Sequence, residues 1–568
     1  MIGAEALLKT LENHDVSEIY AYPGGAVLPI YDAMAGSPIR RILVRHEQAA
    51  AFAAQGYSRT TQGVGVCLAT SGPGATNLVT GIADAMMDSI PMVAITGNVF
   101  KHLIGSDAFQ ETDIVGICEP IVKHSYFVES ADDIPRVIAE AFHLAASGRP
   151  GPVLVDIPKC EQINEVSDAI AAQVEANTPF ALELPGYSHK QDTCPNELSQ
   201  AVELINAAQR PVVIYGHGVV LSNAEQQLAD FLEKTEIPNV WTLHGIGGYD
   251  NTKPLSLGML GMHGTGAANF AVHHADLVLG IGIRFDDRIT GKLTEFNANK
   301  KFIHFDIDPS EFNKNVTAMA HLCGQIHDTL PAVTSQINAD KKTQWADWNQ
   351  RVLAKKEAWP LDEGPSDRLT EINVINQLYA QLGEDDVVLV DVGQHEMWAA
   401  QRFFPTKSRK FLASGGLGTM GFSLPTAMGA TFSGHPVWSI SGDGGFQMNS
   451  QELATIAQDN LPVKIIILNN SFLGMVRQWQ ELFYDKNYVD TPLKNPNFVA
   501  LGEAYGIPSF KAETIEESAA LIEKMKHHEG PILVEFKVAK EENVFPMVPA
   551  GESLGETLLD KDSKIDKA

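Results

Sequence analysis

Along most of this chain, short apolar runs closed by glycine or polar residues alternate with segments whose apolar positions recur at helical spacing. In the first third the runs are Ile42 to Val44, Val64 to Ala69, Met92 to Ile95 and Val153 to Asp156. That rhythm predicts a doubly wound parallel sheet. A second α/β rhythm occupies the middle: Val212 to Tyr215 runs into Gly216-His217-Gly218, Asp276 to Ile281 reads as a buried strand, and Phe302 to Ile307 is another, with Asp306 near its end. A third begins at Val387 to Val390. The fold class expected is α/β, with three doubly wound parallel-sheet domains over 1–181, 196–333 and 370–540 and a C-terminal tail over 541–568. The stretches Phe180 to Pro195 and Asp362 to Asp367 read as linkers, being polar with proline and glycine. The first and last thirds resemble each other in layout, each with glycine loops after strands, but the self-similarity is too faint to be a repeat.

The segment from Val437 to Met475 organises the chain. An apolar run ends in Ser441-Gly442-Asp443-Gly444-Gly445, an amphipathic stretch follows with Leu453, Ile456 and Ala457 at helical spacing, and a second run from Val463 to Leu468 closes on Asn469-Asn470. The pattern predicts strand, turn, helix, strand: one right-handed βαβ unit. Asp443 and Asn470 then stand at the carboxyl ends of two parallel strands, where open α/β sheets bind ligands. A carboxylate, a neutral amide oxygen and flexible glycines suit a magnesium diphosphate, because Mg²⁺ takes oxygen ligands and is completed by phosphate and water. Gly-Asp-Gly-Gly alone would as readily be an ordinary turn.

Composition narrows the class. At 568 residues the chain is too long for one core, and 44% hydrophobic with 20% charged residues is the balance of a globular protein. A net charge of −28 argues against nucleic acid or an anionic membrane as partner. No apolar run approaches membrane-spanning length, and the N-terminus reads as an amphipathic helix, not a signal peptide. Cysteines 67, 118, 160, 194 and 323 form no close pair or metal spacing, so reduced thiols in a cytoplasmic protein are expected.

Gly-Asp-Gly, then a helical segment, then a strand closing on Asn-Asn resembles the thiamine diphosphate (ThDP) signature. The resemblance implies the ThDP-enzyme fold, with Mg²⁺ held by Asp443, Asn470 and the backbone carbonyl of Phe472. Within it Arg45-His46-Glu47-Gln48 resembles the motif whose glutamate hydrogen-bonds the aminopyrimidine ring, so Glu47 would do general acid–base work there. An acid opening the helical stretch Ala49 to Ala54 is also what a helix dipole alone would favour.

The stretches YPGGAVLPIYDA, ATSGPGATN, SDAFQETD and SGRPGPVLVDIPK sharpen the resemblance to the large catalytic subunits of acetohydroxyacid (acetolactate) synthases. LGMHGTGAAN, Leu260 to Asn269, and RFDDR, Arg284 to Arg288, resemble the FAD segments of the biosynthetic members. By position, the resemblance puts Gly25 at the reaction centre with Glu47, Gln110 and Lys159, and makes Phe109, Met262, Arg288 and Trp479 substrate residues. It assigns Pro23, Gln394, His395, Gly418, Met420, Gly442, Asp443, Gly444, Gly445, Asn470, Gly474 and Met475 to ThDP. It assigns Arg149, Gly216, Gly218, Thr242, Leu243, Met262, His263, Gly264, Arg284, Asp286, Arg288, Asp306, Gly415 and Gly416 to FAD. Several have a plainer reading: core packing for Phe109 and Trp479, a helix C-terminal cation for Arg149, a surface ion pair with Asp286 or Asp287 for Arg288, a buried methionine for Met420. Cys160 stands where the family pattern has an acid.

The implied reaction is decarboxylation of pyruvate and carboligation to pyruvate or 2-oxobutyrate, for branched-chain amino-acid biosynthesis. The resemblance also implies a homodimer or tetramer in which Glu47 and Asp443 of different chains serve one cofactor, and a small regulatory subunit. A ThDP- and FAD-dependent pyruvate oxidase is the alternative, and a non-catalytic homologue a remote one. The tail, polar and charged at its end, is expected to fray.

Overall fold

The computed structural model describes residues 1–188, 194–338 and 343–566. Part of the first expected linker, 189–193, and the last two residues of the tail lie outside them.

Three six-stranded sheets, parallel throughout, form the frame. The first holds β1 (Glu18–Ala21), β2 (Arg40–Leu43), β3 (Gly65–Ala69), β4 (Met92–Asn98), β5 (His124–Phe127) and β6 (Pro152–Pro158), in the order β2-β1-β3-β4-β6-β5. The second holds β7 (Pro211–Tyr215), β8 (Asn239–Trp241), β9 (Ser256–Met259), β10 (Leu277–Ile281), β11 (Lys301–Asp306) and β12 (Ala320–Cys323), in the order β12-β11-β10-β7-β8-β9. The third holds β13 (Val387–Val390), β14 (Phe411–Leu412), β15 (Val437–Gly442), β16 (Val463–Asn469), β17 (Ser509–Ala512) and β18 (Ile532–Lys537), in the order β14-β13-β15-β16-β18-β17. The outer sheets share one topology, so the faint likeness between the first and last thirds is a real structural correspondence. The middle sheet has the strand order of a dinucleotide-binding fold, reversing between β7 and β10.

The strands read as continuous apolar runs because helices cover both faces of each sheet. In β16, Ile465 and Ile467 enter a core shared with the first sheet's helices, while Ile466 and Leu468 enter a core shared with the middle sheet. The third sheet therefore packs between the other two. Its closest approach to the first is backbone to backbone. The helices Glu47–Thr61 and Ser423–Ala430 cross where a Cβ on Gly56 would collide with the carbonyl of Thr426, and one on Gly429 with that of Ala53.

Three features differ from the sequence reading. The expected turn at Gly442 to Gly445 is the start of a short helix, Asp443–Met448, and a second helix, Leu453–Asp459, completes the crossover to β16. As far as Ile565 the tail is docked and does not fray: Val548, Leu554 and Ile565 are buried in the core of the middle sheet, and Asn269 Nδ2 donates to Thr557 Oγ1 at 3.0 Å. Its polar composition hid apolar residues spaced widely enough to dock one at a time. A helix that the patterning did not suggest, Ala346–Ala358, is pinned to the middle sheet by the indoles of Trp345 and Trp348, which donate to Ala208 O and Pro211 O at 3.0 Å each. Among the described residues no helix is long and apolar enough to cross a membrane, and all five cysteines are free.

Candidate active site

β13, β15 and β16 lie side by side, and each ends in a helix whose N-terminus faces the same space. Gly393 leads into Gln394–Arg402, Gly442 into Asp443–Met448, and Asn470 through Leu473 into Gly474–Phe483. Helix N-termini present free N–H groups and a partial positive charge, so three of them converging make a site for a multiply charged anion. Three glycines keep the rim open. A Cβ at Gly393 or Gly442 would meet the His395 ring at 2.6 and 3.0 Å, and one at Gly474 would collide with Gln394 Oε1.

Asp443 sits at the centre, buried. Its Oδ2 accepts the Ser471 N–H at 2.8 Å and Asn495 Nδ2 at 2.6 Å, while Oδ1 accepts the Gly444 N–H at 3.1 Å. Burial pushes its carboxyl up to about 6 against these hydrogen bonds. Asn470 donates through Nδ2 to Glu371 Oε1 at 2.9 Å, which aims its amide oxygen the other way, where it takes the Phe472 N–H at 2.9 Å. Glu371 is itself pushed up to about 8 by burial, so it stands protonated near neutrality. His395, held down to about 4 by burial, is neutral and accepts the Gly442 N–H through Nε2 at 3.2 Å. A carboxylate, an amide oxygen and a backbone carbonyl on neighbouring strand ends fit a hard divalent cation whose other ligands come from a diphosphate. Among the described residues no cluster of three His, Cys, Asp or Glu side chains offers a self-sufficient metal site.

This corner is one end of a cavity of about 740 Å³ lined by all three domains. The cavity runs past Gly418, Met420, Met475 and Trp479 to Met262 and Arg288, then along the carboxyl ends of the middle sheet to Asp306 and Arg149. Gln394, His395, Gly442, Gly444, Gly445, Asn470, Phe472, Gly474, Thr242, Leu243, His263, Arg284, Asp286, Gly415 and Gly416 also line it. The sequence had scattered these residues over more than half the chain. The middle-sheet end lies at the strand-order reversal, where dinucleotides bind in such folds.

The plainer readings fare unevenly. Arg288 meets Asp287 only at 3.9 Å, with both side chains more than half exposed, so its guanidinium is not committed to that pair. Arg149 is committed: Nη1 meets Asp308 at 3.1 Å and Glu311 at 2.7 Å, and Nε donates to Ser89 Oγ at 2.9 Å, tying the first domain to the middle one. Asp306 is pushed up to about 7 by burial. Gly218 lines the cavity, yet its nearest obstacle is Gly282, which a Cβ would approach at 2.5 Å. Gly216 and Gly264 do not line it, and their lack of a side chain serves the packing of neighbouring loops. Trp479 is half-buried on the cavity wall and not a core residue, and Met420 is likewise half-buried there.

A second group gathers elsewhere on the chain. Glu47 is the first residue of the helix Glu47–Thr61, is 9% exposed, and accepts Asn77 Nδ2 on Oε2 at 2.8 Å. A Cβ at Gly74 would lie 3.2 Å from its other oxygen. Pro23 and Gly25 lie exposed in the loop after β1, and Gln110 packs on Gly72 with a positive φ of 62°. Phe109 is 88% exposed, which removes its core reading. Lys159 lies beside a separate, open hollow with Tyr31 and Asp32. None of these residues lines the cavity that holds Asp443 in the same chain. The structure therefore divides the expected site residues into two sets.

Sequence reasoning missed Glu371 and Asn495. Glu371 reads as an ordinary acid in the first turn of a helix, and Asn495 as a loop residue in Asn-Pro-Asn. Only the fold brings either to the strand ends.

Comparison with known proteins accords with this geometry. The N-terminal, central and C-terminal domains of thiamine pyrophosphate enzymes match residues 1–117, 198–333 and 391–536. The acetolactate synthase of Mycobacterium bovis is 46% identical over 567 residues, covering 97% of this chain and 90% of that protein. The acetolactate synthase isozyme 2 large subunit of Escherichia coli is 44% identical over 564 residues, covering 98% and 99%. The chloroplastic acetolactate synthase 1 of Zea mays is 44% identical over 579 residues, covering 99% and 89%. With matches in every domain and identity at this level along its length, the chain belongs to the acetolactate synthase large-subunit family of thiamine pyrophosphate enzymes.

Proposed function

We propose that the chain is the catalytic subunit of an acetolactate synthase. It decarboxylates pyruvate and joins the remaining two-carbon unit to pyruvate or 2-oxobutyrate, giving 2-acetolactate or 2-aceto-2-hydroxybutyrate for branched-chain amino-acid synthesis. The observation that carries this reading is the meeting of three helix N-termini on Asp443, at one end of a cavity that also contains Arg288 and Trp479. When bound, thiamine diphosphate supplies the electron sink for loss of CO₂ from a 2-ketoacid.

The chain's residues have distinct tasks in this reading. The Gly393, Gly442 and Gly474 helix starts hold a diphosphate. Asp443, the Asn470 amide oxygen and the Phe472 carbonyl hold Mg²⁺. Glu47 shares a proton at the oxygen that Asn77 leaves free, and so sets the protonation of the ring it faces. Arg288 receives the carboxylate of the second ketoacid in a two-pronged contact. Trp479 and Met262 narrow the space beside it. The carboxyl ends of the middle sheet, with Asp306 among the residues there, would hold FAD.

The two sets of residues, apart on one chain, imply a homodimer in which Glu47 of one subunit completes the cavity of the other. Exposed apolar side chains beside both sets support it: Tyr22, Leu28 and Phe109 beside the first, Met448, Val476 and Phe483 beside the second. The name of the Escherichia coli relative, a large subunit, supports a smaller partner chain.

The test is pyruvate turnover with ThDP, Mg²⁺ and FAD, following acetolactate and oxygen together. Acetolactate without matching oxygen uptake is expected. Oxygen uptake with acetate or acetyl phosphate would make the protein an oxidase and end the assignment of Arg288.

A further inference from the structure

The loop from Ala413 to Phe422 carries Gly418 and Met420 on the cavity wall, yet much of what holds it belongs to the first domain. Two acids on the helix Val79–Asp88 face it, both fully buried. Asp84 Oδ1 accepts the hydroxyls of Ser414 and Thr419, the latter at 2.9 Å. Asp88 accepts the N–H groups of Gly415 and Gly416 at 3.2 and 2.8 Å. Arg59, on the helix that begins with Glu47, donates to Asp88 at 2.8 Å and to Ala413 O at 3.1 Å. Within the loop, Thr419 N donates to Ser414 Oγ at 2.9 Å, so Asp84 closes a small ring of hydrogen bonds one residue from Met420.

Burial without partners would be costly for a carboxylate; within the first domain Arg59 offsets part of that cost, lying 2.8 Å from Asp88 and 3.6 Å from Asp84 Oδ2. Besides Arg59, what they have in common is the loop, to which both give hydrogen-bond acceptors. We propose that Asp84 is a positioning residue for the cofactor: through Thr419 and Ser414 it sets the height of Gly418 and Met420 on the cavity wall. The inference rests on the proposed ThDP reading of that cavity. It assigns a residue of the first domain to the cofactor site of its own chain, where Glu47 of the same domain does not reach.

The test compares binding of ThDP with Mg²⁺ to the full-length protein, followed by quenching of tryptophan fluorescence, in hydroxyl-specific variants. Thr419→Val and Asp84→Ala should each weaken binding about tenfold, the scale of a lost buried hydrogen bond. Thr419→Ser and Asp84→Asn keep the donor and the acceptor, and should bind within about twofold of wild type. The double variant Asp84→Ala/Thr419→Val should bind no worse than Asp84→Ala alone, since that change already removes the bond that Thr419→Val removes. Thr419→Val is nearly isosteric and tests the contact even where Asp84→Ala does not fold. Wild-type affinity in Thr419→Val, an equal loss in Thr419→Ser, or fully additive losses would each overturn the proposal. Failure of the wild-type protein itself to bind ThDP would instead overturn the functional reading on which it rests.

Discussion

Asn495 Nδ2 donates to Asp443 Oδ2 at 2.6 Å and lies 2.9 Å from Asn469 Oδ1. A residue far downstream thus orients the carboxylate at the end of β15, as outer groups orient metal ligands generally. Asp443→Ala should weaken Mg²⁺ and ThDP binding together. Asn495→Ala should keep the ligand but lose its orientation, weakening Mg²⁺ by about tenfold. Calorimetric titration of both variants checks this, and unchanged Mg²⁺ affinity in Asp443→Ala would rule out the metal role.

Glu47→Gln preserves the shape and the hydrogen bond from Asn77 while removing the exchangeable acid. ThDP affinity should stay near wild type while turnover falls by roughly 10² to 10⁴-fold. Steady-state kinetics beside a binding titration separates the two, and near-normal turnover would sink the acid–base assignment.

Gly56 allows the helices Glu47–Thr61 and Ser423–Ala430 to touch along their backbones. Gly56→Ala should cost about 3 kcal/mol of stability, because the obstacle is a backbone carbonyl and not a side chain that can turn away. A lower urea midpoint is the expected result, and an unchanged midpoint would mean that the contact is loose.

Asp306 offers a pH signature. Its folded-state value of about 7 lies above that of an unfolded aspartate, about 3.9, so the folded chain binds the extra proton between the two. The contribution to stability is complete below about pH 4 and is lost as pH rises toward 7. Asp306→Asn removes that loss and can still accept the N–H of Asp308. In protein stripped of cofactors, the variant should gain stability over wild type at pH 8 and lose the advantage toward pH 5. Parallel thermal midpoints across that range would refute the burial effect.

Leu554 is 3% exposed against the core of the middle sheet. Leu554→Ala should destabilise the protein by about 2 to 4 kcal/mol, as deletions of buried side chains do. A fraying tail would show no change in chemical denaturation.

The amino-acid order by itself determined the alternation of strand and helix, the three-domain plan, and the placing of Asp443 and Asn470 at strand ends. Those features rest on local patterning: apolar runs long enough for a strand, glycine where the backbone must turn, an acid and an amide in fixed sequence with them. The family resemblance then named the chemistry that such residues perform. Long-range packing decided the rest. It set the strand orders, and with them the identity of topology between outer sheets whose sequences barely resemble each other. It docked a polar-looking tail through Val548, Leu554 and Ile565, whose spacing follows no secondary-structure period. It brought Glu371 and Asn495 to the metal corner, and Asp84 and Asp88 against a loop of another domain. It also kept Glu47 out of the cavity that Asp443 lines. A side chain's chemistry can be read from its neighbours in the chain, but which cavity it serves depends on contacts between residues hundreds of positions apart, and only the folded packing contains them.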